Sequence, residues 1–237
     1  MLTEERHSII MKLLESKGII RIQELVDILN TSESTVRRDL SYLEKKKLLK
    51  RIHGGASLLK QKRDEPSMLE KATKNLSAKK QIASYAASLI QDGDCIFLDA
   101  GTTTLQMIEN ITAKDITIVT NGIPHLEPLM EKGLTTYAVG GYVKPKTKAA
   151  VGVVAVEALK NYRFDKAFLG VNAIHLDYGY TTPDPEEAAV KRIAMDLGQK
   201  VYVLADNSKF NEVTFAKIGP LEEATIITNA GAEDVIE

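Results

Sequence analysis

The run Asn30-Thr-Ser-Glu-Ser-Thr-Val-Arg-Arg-Asp-Leu-Ser-Tyr-Leu43 decides how the N-terminal part of this chain is read. Val36, Leu40 and Leu43 recur at the i, i+4, i+7 spacing of one buried helical face. That spacing turns Ser34, Thr35, Arg37, Arg38 and Ser41 outward, so the exposed face carries hydroxyls and guanidinium groups. Thr31, Ser32 or Glu33 caps or starts the helix, and a helix N-terminus offers free N–H groups to a phosphate.

Before it, Ile22 to Leu29 reads as a short amphipathic helix with Ile22, Leu25, Val26 and Leu29 on one side. Two helices joined by a tight polar turn make a helix-turn-helix, whose second helix enters the major groove and points side chains at base edges. Arg37 and Arg38 are the main candidates to read or clamp double-stranded DNA, with Ser32, Ser34 and Thr35 beside them. After it, Leu49-Lys-Arg-Ile-His-Gly-Gly-Ala56 reads as strand, glycine turn and return strand, the wing of a winged helix. Gly54 and Gly55 are expected to supply the positive φ of that turn. Arg51, His53, Gly54 and Gly55 complete the DNA-facing set, with His53 assigned neither to a metal nor to acid–base work.

Arg21 to Asp27, Ser34-Thr-Val-Arg-Arg-Asp-Leu40 and Leu49 to Ala56 together resemble the signature of the DeoR family of bacterial sugar-operon repressors. The resemblance implies a winged helix-turn-helix followed by a sugar-phosphate-sensing α/β domain related to ribose-5-phosphate isomerase. It also implies that family members continue beyond Thr225-Ile-Ile-Thr228 through a further helix and strand, where this sequence reaches Glu237.

The composition agrees with a two-part chain. Of 31 Lys+Arg and 32 Asp+Glu in 237 residues, 14 and 8 fall in residues 1–63, a balance of +6; the remaining 17 and 24 give −7. A basic head on an acidic body suits a protein of which only the head approaches a polyanion. The single cysteine, Cys95, lies in an apolar run and cannot form an intramolecular disulfide, and neither a cleavable signal nor a membrane-length apolar run is read. A cytoplasmic protein is expected, acting as a homodimer or homotetramer.

In chain order, Thr3 to Ser16 reads as a helix capped by Thr3, striped by Ile9, Ile10, Leu13 and Leu14 and ended by Gly18. The expected domains are 1–57 (DNA binding), 58–74 (linker) and 75–237 (sensor). Within the last, helices are expected at 79–90, 103–110, 126–132, 151–160 and 185–197. Strands are expected at 94–99, 116–120, 135–139, 166–171, 200–205 and 224–228. Such alternation argues for a largely parallel sheet covered on both faces, with ligands at the carboxyl ends of its strands.

Polar residues gather at those ends. Asp99-Ala-Gly-Thr-Thr-Thr104 is a glycine turn running into a helix, able to hold a phosphate through backbone N–H groups, hydroxyls and the helix dipole. It has no Walker pattern, which argues against a nucleoside triphosphate. The expected effector site is therefore Asp99, Gly101, Thr102, Thr103 and Thr104, with Asn121, Gly140, Gly141 and Lys209 from later strand ends. Glu187 joins them as a sugar-hydroxyl acceptor or a helix-surface charge. Lys144, Lys146 and Lys148 read as a solvated loop, with phosphate contact as the alternative.

The isomerase reading is the competing one, because aldose–ketose isomerisation needs a positioned base. Where the resemblance implies an Asp-Gly-Ala-Asp-Glu run, this chain has Leu169-Gly-Val-Asn-Ala173. A site so altered binds without catalysing. No catalytic residue, metal or cofactor is assigned. Within the family the chain resembles fructose-operon repressors of Gram-positive bacteria, which implies fructose 1-phosphate as inducer.

Overall fold

The computed structural model describes residues 2–17, 19–52, 54–58 and 65–229. Contacts divide the chain into two units, Met1–Gln61 and Lys62–Glu237.

In the first unit, helix α1 (Thr3–Lys17), strand β1 (Ile19–Arg21), helices α2 (Ile22–Leu29) and α3 (Glu33–Lys45) and strands β2 (Leu49–Ile52) and β3 (Gly55–Leu58) follow in order. Ile10, Leu14, Leu25, Val36 and Leu40 are fully buried in one apolar core. Thr3 is the first helical residue of α1 rather than its cap, and Gly18 lies outside the described residues. β1 was not anticipated. It pairs with β3, which pairs with β2, in an antiparallel sheet of order β1-β3-β2. Three residues are too few to show a period of two, so only the pairing reveals this strand.

The wing turn also departs from expectation. Gly54 has φ +75°, but Gly55 does not need positive φ; a Cβ there would meet the Ile20 carbonyl oxygen at 2.2 Å. Gly54 serves the turn and Gly55 the close approach of β1.

The second unit opens with α4 (Met68–Thr73), α5 (Leu76–Ser88), β4 (Cys95–Leu98), α6 (Thr102–Asn110), β5 (Thr117–Thr120), α7 (Ile123–Glu131) and β6 (Thr135–Ala138). The hairpin β7 (Tyr142–Val143) and β8 (Ala150–Val151) follows, then α8 (Val153–Leu159), β9 (Phe164–Gly170), β10 (Ala173–His175) and β11 (Gly179–Thr182). Helix α9 (Pro185–Leu197) and strands β12 (Gly198–Leu204), β13 (Ala216–Gly219) and β14 (Thr225–Ile227) complete the described elements. Residues 68–73, expected as linker, are helical because Ser67 and Glu70 form a reciprocal capping box.

Six strands form a parallel sheet of order β14-β12-β9-β4-β5-β6. Alternate residues of each strand enter opposite cores, as the pleat requires. Phe97, Val119, Ala167, Leu169 and Val203 face a core shared with α8 and α9. Ile96, Leu98, Ile118, Phe168 and Leu204 face a core shared with α5, α6 and α7. Strands β10, β11 and β13 form a separate antiparallel sheet that the sequence reading missed.

β4 leads to β5 and β6 on one side and β9, β12 and β14 lie on the other, so the strand order reverses between β4 and β9. In such sheets the loops leaving the two central strands part company there and leave a crevice.

Candidate functional site

A cavity of about 640 Å³, solvent at its mouth included, lies at this crevice. Ala100 to Thr103 after β4, Gly170 to Asn172 after β9, and Leu204, Asp206 and Lys209 at the end of β12 line it, with Met68, Lys71, Lys79, Thr147, Glu187 and Lys191.

The expected residues divide into two groups. Gly101, Thr102, Thr103, Glu187 and Lys209 line the cavity. Thr104, Asn121, Gly140 and Gly141 do not. Thr104 is fully buried; its hydroxyl donates to the Asp99 carbonyl at 2.6 Å and lies 3.1 Å from His125 Nε2. Asn121 accepts from Ala100 N–H at 2.8 Å and donates to the Ala150 carbonyl at 3.3 Å, bracing the loop from behind. Gly141, at φ +131°, lets the chain turn against Val151, whose carbonyl would meet a Cβ at 2.5 Å. Gly140 precedes that same turn.

Asp99 lies beneath the lining, fully buried. Its Oδ2 accepts from Gly170 N–H at 2.9 Å and from Lys191 Nζ. Its Oδ1 has no hydrogen-bond partner among the described residues. Burial pushes the Asp99 carboxyl upward and Lys191 pulls the other way. Burial likewise opposes the Lys191 charge, but Asp99 and Glu187 together hold its pKa above the usual lysine range.

The sequence reading missed Lys79, in the first turn of α5, and Lys191, in the middle of α9, because lysine on an amphipathic helix normally snorkels to water. Lys79 is 5 % exposed. Its Nζ donates to the Lys71 carbonyl and, among the described residues, forms no ion pair with a carboxylate. Burial lowers its pKa, with Asp206 pulling upward. Asp206 accepts from Asn75 at 2.9 Å and from Ser208, and despite burial these bonds and Lys209 hold it below the usual carboxylate range. The cavity thus carries cations of Lys71, Lys79 and Lys209 close to the N-terminus of α6, a place suited to a phosphate. Its other wall offers Asn172, Thr147 and Glu187, groups that bond sugar hydroxyls.

Glu187 is 6 % exposed and is no helix-surface charge. Its Oε1 accepts from Thr147 at 2.7 Å and Lys144 at 2.9 Å. Burial opposes its charge, yet Lys191 and Lys144 hold its pKa down. Lys144 is likewise no solvated loop residue, its side chain being 12 % exposed.

In the first unit Ser32 caps α3, accepting from Thr35 N–H at 3.3 Å. Ser34, Arg37 and Arg38 are exposed and Thr35 is half-buried. Arg37 is engaged by Glu33, one turn earlier, at 2.6 Å. Arg51 donates to Ser41 Oγ at 2.8 Å, and its N–H donates to Glu44 at 2.8 Å, which ties the wing to α3. His53 lies outside the described residues. Asp39, a position the sequence reading left without a role, is 4 % exposed and binds Arg6 at 2.7 Å and His7 at 3.1 Å, fastening α3 to α1.

Residues 6–62 match the profile of the DeoR-like helix-turn-helix domain and residues 74–230 that of the DeoR C terminal sensor domain. The uncharacterized HTH-type transcriptional regulator FruR of Bacillus subtilis (strain 168) is 51% identical over 98% of this chain and 93% of that protein. The lactose phosphotransferase system repressor of Staphylococcus aureus (strain N315) is 38% identical over 94% of this chain and 90% of that protein. Among solved structures, ribose 5-phosphate isomerase from Plasmodium falciparum aligns with a TM-score of 0.42 and 17% identity, covering 56% of this chain and 52% of that one. The chain belongs to the DeoR family of helix-turn-helix transcriptional regulators of sugar metabolism. It is a DNA-binding regulator with an effector-sensing domain, not an enzyme. Among the described residues no helix is long and apolar enough to cross a membrane.

Proposed function

We propose that this chain represses a sugar-utilisation operon and that a phosphorylated sugar in the cavity at the β4/β9 crevice sets its affinity for operator DNA. The observation that carries this reading is Lys79, a buried ammonium without a carboxylate partner among the described residues, in a cavity that also presents Gly101 to Thr103. Such a cation finds its counter-charge in the ligand. Lys71 and Lys209 add to the anionic end; Asn172, Thr147 and Glu187 serve the hydroxyl-bearing end, with Asp99 beneath them. The resemblance of the sequence to fructose-operon repressors favours fructose 1-phosphate as the effector.

On the DNA side, Arg38, Arg37, Ser34 and Thr35 read or clamp the major groove, Ser32 positions the helix start, and Arg51, His53 and Gly54 approach the backbone from the wing, with Gly55 buried against β1. The protein acts in the cytoplasm as a homodimer or homotetramer on paired half-sites.

The test is a thermal-shift screen with free fructose, ribose 5-phosphate, fructose 1-phosphate, fructose 6-phosphate and tagatose 6-phosphate. A ligand at about a hundred times its Kd stabilises the folded state by about 2.7 kcal/mol. Stabilisation by fructose 1-phosphate without stabilisation by fructose is the expected result. A flat response to every phosphate overturns the effector reading.

A further inference from the structure

Lys144 follows β7 in the turn of the β7–β8 hairpin, and its ammonium has three donors. All three meet carboxylates: Glu65 at 2.7 Å, Asp184 at 2.8 Å and Glu187 at 2.9 Å. These partners have different duties. Glu187 lines the cavity. Asp184 caps α9, accepting from the N–H groups of Glu186 and Glu187. Glu65 is the first described residue after 59–64, the chain that connects to the DNA-binding unit.

The segment 65–73 is joined to the same hairpin a second time. Met68 N–H donates to the Lys146 carbonyl at 2.9 Å, while Lys71 bonds Glu65 at 3.3 Å. Met68 and Lys71 also line the cavity, and the Lys71 carbonyl accepts from Lys79. Met68 and Lys71 are therefore part of the cavity wall, and Glu65 lies on the chain that leads away from it.

Resting on the effector reading above, we infer that Lys144 and Glu65 are positioning residues that transmit cavity occupancy to the chain leading to the DNA-binding unit. The physical link is competition for Glu187. Its Oε1 already serves Thr147 and Lys144. A sugar hydroxyl that bonds Glu187 weakens its hold on Lys144, and an ammonium with every donor engaged then redistributes toward Asp184 and Glu65. Glu65 carries segment 65–73 with it through Lys71 and the Met68–Lys146 bond. An effector biases the DNA-binding states only through such a difference in contacts.

The experiment compares the full-length wild type with Glu65→Gln and Glu65→Asp. Glu65 does not line the cavity, so neither change removes an effector contact. Calorimetry gives the Kd of fructose 1-phosphate, and fluorescence anisotropy gives the operator Kd with and without it. Allosteric factors of roughly 5- to 150-fold are usual between coupled sites. In Glu65→Gln, fructose 1-phosphate should bind within about threefold of wild type while the ratio of operator Kd values falls to below about twofold. Glu65→Asp, which keeps the charge, should restore at least half of the lost response. A merely structural role would lower the melting temperature and leave that ratio at its wild-type value.

An unchanged ratio in Glu65→Gln with effector binding intact overturns this inference alone. Should Glu65→Gln not fold, a wild-type ratio in Lys144→Gln, which breaks the same contact from its other side and lies outside the cavity lining, overturns it equally. Absence of binding by every sugar phosphate to the wild type overturns the effector reading and this inference with it.

Discussion

Arg38 stands exposed on α3, whereas Arg37 one position earlier is engaged by Glu33. Lys79 is its counterpart in the sensor unit, a cation turned inward. The two lysine and arginine roles separate cleanly by substitution. Arg38→Ala should cost about 1–3 kcal/mol of operator affinity in a gel-shift titration and leave the fructose 1-phosphate thermal shift intact. Lys79→Met should do the opposite, losing about 2 kcal/mol of effector affinity, the value of a hydrogen bond to a charged group, at unaltered operator affinity. Crossed or shared losses would refute the division. Arg38 was legible from its helical phase. Lys79 was not, because a lysine in an amphipathic helix looks the same whether its ammonium reaches water or a cavity.

Among the elements, the wing shows how two adjacent glycines answer to different forces. Gly55→Ala drives a Cβ to 2.2 Å from the Ile20 carbonyl and should destabilise the first unit by about 1–3 kcal/mol, the range for overpacking. Gly54→Ala meets nothing within 4 Å but keeps φ +75°, so its cost is the backbone term alone, about 1 kcal/mol. Urea melts of the two variants should rank them in that order, with operator binding following. The glycine turn was visible in the sequence. Which glycine bears the close contact depends on β1, a three-residue strand recognisable only once it is paired.

For the whole molecule, the buried His125 makes stability pH-dependent. Burial lowers its pKa from 6.5 to about 4. Between those values the unfolded chain binds the proton and the folded chain does not, so stability rises with pH in that window and is lost as pH falls through it. Wild type should lose about 2 kcal/mol more than His125→Gln between about pH 7 and pH 5, read from denaturant midpoints. Parallel pH profiles would refute the assignment. The depressed carboxyls of Asp184, Glu187 and Asp206 withdraw their contribution only at lower pH, as each is protonated.

From the sequence alone came the helix-turn-helix and wing, the alternation of helices and strands, the order of the two units and the glycine–threonine loop after β4. These are local matters of period, capping and turn chemistry, and neighbouring residues settle them. Only the tertiary structure decided which strand ends meet. The expected site drew on loops after β4, β5, β6 and β12, but the sheet order reverses between β4 and β9. Gly170 to Asn172 therefore enters the cavity, Asn121 becomes a brace behind it and Gly140-Gly141 turns the chain from β6 into β7. Strand order arises from long-range pairing and packing, which residues far apart in the chain establish together, and no local pattern encodes it.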